Sequence, residues 1–186
     1  MNTIISNKEY VLEVKKSKFI CILLKEMDDA VVKDIINEYK HKYPKATHYC
    51  YAYVINNYKK SSDDGEPGGS AGIPILEVLN KNDLNNVLCI VIRYFGGIKL
   101  GMGGLIRAYT DSVANALKDN IKEEIDYVSI TFKTDYSNQS KIDNLLKEYE
   151  IKKEFLDDVT YYVEIPKKDL DKISSLKYEI IKEYTN

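Results

Sequence analysis

The chain has 186 residues, 44% of them hydrophobic and 30% charged, with a formal net charge of −2. That profile belongs to a folded protein with room for one large domain or two small ones, and it excludes a disordered chain. It also excludes a globally basic nucleic-acid binder, so any such contact has to come from a local patch.

The N-terminal stretch MNTIISNKEYVLEVKKSK lacks the apolar core of a signal peptide. No segment approaches the ~20 apolar residues of a membrane span, so a cytoplasmic location and no membrane partner are expected. Residues 8–26 alternate as two strands, EYVLEV and KFICILLKE, joined at Lys15–Ser17. DDAVVKDIINEYKHKY has helical spacing and an acidic start, and Pro44 ends it. HYCYAYVI reads as a strand with Tyr49, Tyr51 and Tyr53 on one face and Cys50, Ala52 and Val54 on the other. NNYKKSSDDGEPGGSAG reads as a long loop. A short helix is expected over IPILEVLNK, with Pro74 in its first turn. VLCIVIRYF is a continuous apolar run, as in a strand buried on both faces. GGLIRAYTDSVANALKDN then places Ile106, Tyr109, Val113, Ala116 and Leu117 on one helical face.

The character changes near residue 120. Residues 121–186 contain no glycine and carry 11 lysines against 15 acids, whereas residues 1–120 carry 16 basic against 14 acidic side chains. YVSITF alternates as a strand, and Ile142, Leu145, Leu146 and Tyr149 form a helix stripe. EIKKEFLDD and TYYVEI read as strands, KKDLDKISSL as a short helix and KYEIIKEY as a last strand. The order β-α-β-β-α-β is the split βαβ, ferredoxin-like pattern. The expectation is an α+β protein of two domains, 1–120 and 121–186.

All nine glycines and both arginines lie between residues 65 and 107. In GGIKLGMGGLIRAY a buried strand leads through Gly96, Gly97, Gly101, Gly103 and Gly104 into a helix. Free N–H groups and the positive dipole end at a helix start bind anions, and Lys99, Arg93 and Arg107 supply charge nearby. Tight turns and close helix packing explain the same glycines equally well. The spacing is neither GxxxxGK[ST] nor GxGxxG, so a P-loop or dinucleotide-binding reading fails.

The earlier loop gathers Asp63, Asp64 and Glu66 around Gly65 and Pro67. Three carboxylates together suit a metal or acid–base chemistry. DDGEPGG also has the composition of a solvated turn, which is the preferred reading, and the acids can instead pair with Arg93, Lys99 or Arg107. Arg107 can also pair with Asp111 one turn on. His48 is read first as a structural hydrogen-bonding group, because no serine or cysteine forms a nucleophile motif with it. The Tyr49/Tyr51/Tyr53 face is read as an ordinary sheet face rather than a base-stacking platform. Cys21, Cys50 and Cys89 sit singly in apolar runs, which argues against zinc and suits a reducing compartment.

THYCYAY, SDDGEPGGSAGIPIL and VIRYFGGIKLGMGGLIRAY resemble the signature segments of the IMPACT/YigZ family, in order and spacing, over about residues 15–120. The last 65 or so residues resemble the second, ferredoxin-like domain of its bacterial members. The resemblance implies an N-terminal domain of the ribosomal protein S5 domain 2-like type and a link to translation. Eukaryotic relatives bind a ribosome-associated activator of a stress kinase; bacterial relatives have been proposed to bind nucleic acid or the ribosome. Gly69-Ser70 and Ile73 depart from the usual pattern, and the eukaryotic partner-binding domain is absent from this sequence. The expected function is translation-associated regulation, by binding RNA, the ribosome or a translation-associated protein. The rival is an enzyme acting on a small phosphorylated or nucleotide-like ligand, with a cation held by Asp63, Asp64 or Glu66. Asp64, Glu66, Gly68, Gly69, Arg93, Gly96, Gly97, Lys99, Gly103, Gly104 and Arg107 are expected to converge on one groove, with His48 and Asp63 as further candidates. No catalytic residue, resident metal or cofactor is assigned.

Overall fold

The computed structural model describes residues 1–26 and 28–185. They divide into two compact units after Glu123. In the first unit β1 (Asn2–Ile4), β2 (Lys8–Val14) and β3 (Ser17–Lys25) lead into a 3₁₀ turn and helix α1 (Val32–Lys42). Asp28 starts that turn by accepting the Ala30 N–H at 2.9 Å. Strands β4 (His48–Ile55) and β5 (Tyr58–Ser62), helix α2 (Gly72–Lys81), strand β6 (Val87–Tyr94), helix α3 (Gly101–Leu117) and strand β7 (Ile121–Glu123) follow.

Five strands form one antiparallel sheet in the order β2-β3-β6-β4-β5, and β1 pairs with β7 in a separate two-stranded ribbon. The apolar run of β6 makes it the central strand, buried on both faces. Side chains alternate across a sheet, so each strand divides its residues between two cores. Phe19, Cys21, Cys50, Ala52, Cys89 and Val91 face α2 and α3. Ile20, Ile22, Tyr53, Ile55, Ile90 and Ile92 face α1. The tyrosine face of β4 therefore packs under α1, with Tyr49 donating its hydroxyl to the Tyr43 carbonyl at 2.6 Å.

Residues 56–72 are not one loop. Tyr58–Ser62 folds back on β4 as β5, because Asn56 and Asn57 take φ of 49° and 65°, the pair of positive values a two-residue hairpin turn needs. Their N–H groups donate to the side-chain oxygens of Asn86 and Asn85, at 3.2 and 3.0 Å.

The second unit runs β8 (Asp126–Thr134), α4 (Gln139–Leu145), β9 (Glu150–Phe155), β10 (Val159–Pro166), a 3₁₀ helix over Lys167–Ile173, and β11 (Glu179–Thr185). Its sheet is antiparallel in the order β11-β8-β10-β9. Val128, Ile130, Tyr161, Val163 and Ile165 cover one face together with Ile142, Leu146 and Ile173. The helical stripe expected through Tyr149 stops early: α4 ends at Leu145, which is 40% exposed, while Leu146 is buried just beyond it. The segment expected as a helix over 167–176 is 3₁₀ through Ile173; its two aspartates and Ser174-Ser175 compete for backbone hydrogen bonds in so short a run.

Gly96 is set by close approach. A Cβ there would overlap the backbone carbonyl of Lys16 and the Ser17 nitrogen, where the β2–β3 turn crosses the end of β6. Gly68 has open space around it. Gly96→Ala is therefore expected to lower stability by about 1–3 kcal/mol, the range for overpacking a tight contact, while Gly68→Ala stays within about 0.5 kcal/mol of the parent; urea denaturation midpoints check both.

Candidate functional site

The register of β4, β6 and β3 gathers the site. His48 and Phe19 pair with Arg93 from either side, and parity puts all three on the face under α3. Arg93 is only 5% exposed. Its Nη1 donates to Glu66 Oε1 at 2.6 Å, its Nη2 lies 3.5 Å from Ser17 Oγ, and its Nε has no hydrogen-bond partner. The rings of Phe19 and Phe95 lie 5.3 and 5.5 Å from the guanidinium, a cation–π arrangement.

Glu66 reaches this point from the turn after β5 and is 7% exposed. Its Oε1 also accepts the Tyr109 hydroxyl from α3 at 2.8 Å. Burial, then the neighbouring Cys50 and Glu66, push the Tyr109 phenol far above its ordinary value, so it remains a donor. The Cys50 thiol lies 3.3 Å from that hydroxyl and 2.9 Å from the Asp63 carbonyl oxygen. Burial holds it protonated, against the pull of Tyr109 and with the help of Glu66, Asp64 and Asp63. It is not a thiolate nucleophile.

Asp63 organises the loop before α2. Its Oδ2 accepts the Gly69 N–H at 2.8 Å, and its Oδ1 accepts those of Ala71 and Gly72 at 2.9 and 2.8 Å. Burial raises its carboxyl, but the three N–H groups outweigh burial and hold it below the ordinary value. Asp64 turns elsewhere: Oδ2 accepts the Tyr49 N–H at 2.7 Å, and Lys40 Nζ stands 3.6 Å from Oδ1. The three acids point in three directions. Among the described residues no group of three or more His, Cys, Asp or Glu is placed to hold a metal.

His48 Nδ1 lies 2.9 Å from the Asp64 carbonyl oxygen, an acceptor, so that nitrogen carries a proton. Nε2 is left facing Glu66 Oε2 at 3.9 Å. In front of this arrangement lies a cavity of about 410 Å³, whose polar lining is Thr47, His48, Glu66, Arg93 and Lys99. Phe95, Leu100, Met102 and Leu105 line it with apolar surface. The N-terminal end of α3 opens here, with Gly101 in the wall and no side chain capping the helix. Gly101 has φ +71° after Leu100 at φ −85°, ψ −22°, a turn that favours glycine and directs successive N–H groups the same way.

Of the residues expected to share a groove, Glu66, Arg93, Lys99 and His48 meet at this cavity. The acid–arginine pairing is realised by Glu66 and Arg93. Asp63, Asp64 and Gly69 lie behind it, holding the loop. Gly68 and Gly97 are exposed, and Gly96 abuts the β2–β3 turn. Gly103 and Gly104 fall in the first turns of α3, while Arg107 is exposed there and forms no ion pair with Asp111. Tyr109, Ser17, Thr47 and Phe95 join the site without a sequence signal. Tyr109 was legible only as a core position of α3, and nothing in the chain order ties Ser17 to residue 93.

A sheet flanked by α1 on one face and α2 and α3 on the other, with this loop pair at one end, defines the class of unit. The Impact N-terminal domain model matches residues 15–117. The chain belongs to the IMPACT family. It is 43% identical to the IMPACT family member YvyE of Bacillus subtilis over 144 residues, 75% of this chain and just under two thirds (66%) of that relative. It is 34% identical to IMPACT family member YigZ of Escherichia coli over 142 residues, 73% of this chain and 70% of that one. The crystal structure of a hypothetical protein matches 96% of this chain and 95% of its own, at TM-score 0.63 and 27% identity.

Glu66→Ala leaves the Arg93 charge buried and unpaired, and is expected to cost about 3–5 kcal/mol by chemical denaturation, with Glu66→Gln clearly milder because its amide oxygen still accepts from Arg93 and Tyr109. Asp63 gives a pH signature. Its folded-state pKa lies below the unfolded value of about 3.9, so its stabilisation is complete above that pH and is lost as pH falls through the folded-state value. Asp63→Asn is expected to lower stability at neutral pH and to flatten the acid limb below about pH 4, read from urea denaturation at each pH.

Proposed function

We propose that this chain is a cytoplasmic, translation-associated regulatory protein that engages RNA, free or within the ribosome, through the cavity and the N-terminal end of α3. The observation that carries the reading is an uncapped helix start opening on a concave surface, with Lys99 at its rim and the buried Arg93 behind it. Backbone N–H groups, the helix dipole and a nearby lysine suit a phosphate, the sequence-independent feature of an RNA backbone. Family membership supports the link to translation that the resemblance implies. Three free, buried cysteines suit a reducing compartment. No helix among the described residues is long and apolar enough to cross a membrane.

The finer fold assignment belongs to the same proposal. The first unit is taken as an IMPACT-type domain of the S5 domain 2-like kind. The second is taken as ferredoxin-like, supported by its strand order β11-β8-β10-β9, with the second helix of that pattern reduced to a 3₁₀ turn.

Replacing Lys99 and Arg107 together by Ala is expected to weaken RNA binding and lower its salt dependence. For two lost phosphate contacts on a single strand the slope of log K against log salt falls by about 1.4. Filter binding or fluorescence anisotropy across a salt series reads it. An unchanged affinity and slope, with a translation-associated protein still captured, would transfer the role to protein binding.

A further inference from the structure

We infer that the cavity takes one unstacked nucleobase of a single-stranded RNA, held by its exocyclic amino group, so that an amino-bearing base is accepted and uracil is rejected. This rests on the reading of the cavity as an RNA-facing site, and adds a choice of sequence that phosphate contacts cannot make.

The polar end of the cavity is built from acceptors. The Glu66 side chain is 3% exposed, and its Oε1 is already taken by Arg93 and Tyr109, at 2.6 and 2.8 Å. Its Oε2 has no hydrogen-bond partner among the described residues and fronts the cavity that Glu66 lines. His48 Nε2 stands 3.9 Å from that oxygen, beyond hydrogen-bond reach. Because His48 gives its Nδ1 proton to the Asp64 carbonyl, the neutral ring presents Nε2 as a second acceptor. Two acceptors side by side repel a carbonyl or phosphate oxygen and match N–H donors. One amino group, with its two hydrogens, can reach both. Leaving such acceptors unmatched in a bound complex is costly, and that cost is the source of discrimination.

The charge balance favours a neutral donor over a cation. Arg93 already neutralises Glu66, and Lys99 adds a positive charge at the same cavity. The remaining walls favour a flat apolar body. Leu100 and Leu105 line the cavity with aliphatic surface, while Phe95 and Met102 stay 45% and 51% exposed. Exposed aromatic surface is what an unstacked base packs against in single-strand recognition. A volume near 410 Å³ is in the range of small-ligand sites. Adenine, cytosine and guanine each carry an exocyclic amino group. Uracil has a single ring N–H between two carbonyl oxygens, so it sets an oxygen against Glu66 Oε2 or His48 Nε2.

Fluorescence anisotropy on the full chain tests this with uridine heptamers whose central base is adenine, cytosine, uracil or dimethylated adenine. The adenine and cytosine oligomers are expected to bind about fivefold or more tightly than the all-uracil one. Adenine dimethylated on its amino nitrogen keeps the ring and loses both donor hydrogens, and is expected to fall to the level of uracil. Glu66→Gln, with its fold checked by circular dichroism, is expected to reverse the ranking. Arg93 and Tyr109 hold the amide oxygen, so the amide N–H₂ takes the place of Oε2 and donates to a uracil carbonyl. Lys99→Ala is expected to weaken all four oligomers alike. Equal binding of the four overturns the inference and leaves the RNA reading standing. Dimethylated adenine bound as tightly as adenine assigns the ranking to stacking and overturns the role of the acceptor pair. A ranking untouched by Glu66→Gln overturns the role given to that carboxylate. Failure of every oligomer to bind overturns the RNA reading, and the inference with it.

Discussion

Glu66 and Arg93 meet at 2.6 Å with almost no access to solvent, and much of the first unit is arranged around that contact. Taking a carboxylate and a guanidinium out of water costs several kcal/mol each, and only a short, hydrogen-bonded pairing offsets it. The same Glu66 oxygen accepts the Tyr109 hydroxyl, so one atom joins the turn after β5, the end of β6 and the middle of α3. None of these segments can shift alone without leaving a buried polar group unmatched. The aromatic faces of Phe19 and Phe95 flank the guanidinium and exclude water from it.

The surroundings keep that contact in place. Asp63 threads three backbone N–H groups onto one carboxylate and so fixes the loop from which Glu66 projects. The Asp64 carbonyl accepts from His48, and its carboxylate accepts from the backbone of Tyr49, tying the same turn to β4. On the other side Gly96 lets the β2–β3 turn lie against the end of β6, where Ser17 Oγ accepts the Gly96 N–H at 3.2 Å. The cavity is thus framed by backbone that is already hydrogen-bonded, which leaves little ordering to be done when something binds.

Much of the secondary structure was legible. The period-2 runs of β2, β3, β4, β8 and β10 and the helical stripes of α1 and α3 reflect faces that must meet a core. The misses have physical causes. β5 is polar and exposed along Tyr58–Lys60, and its hairpin turn is Asn-Asn without the glycine that would have marked it. β1 and β7 are three residues each, held by pairing across more than a hundred residues of chain. α4 ends before the stripe that suggested it, because Leu146 is buried from outside the helix.

By itself the sequence determined the family, the alternation that sorts each strand between two cores, and the concentration of glycine and arginine in two connections. Those are local properties, written in the order and spacing of side chains. Only the tertiary structure decided that Glu66, and not Asp63 or Asp64, meets Arg93, that Tyr109 completes the pair, and that Arg107 stays outside. These choices rest on strand register and on which side of a turn a carboxylate leaves, and residues 27 or 43 positions apart come within 3 Å only when sheet and helix close on one another.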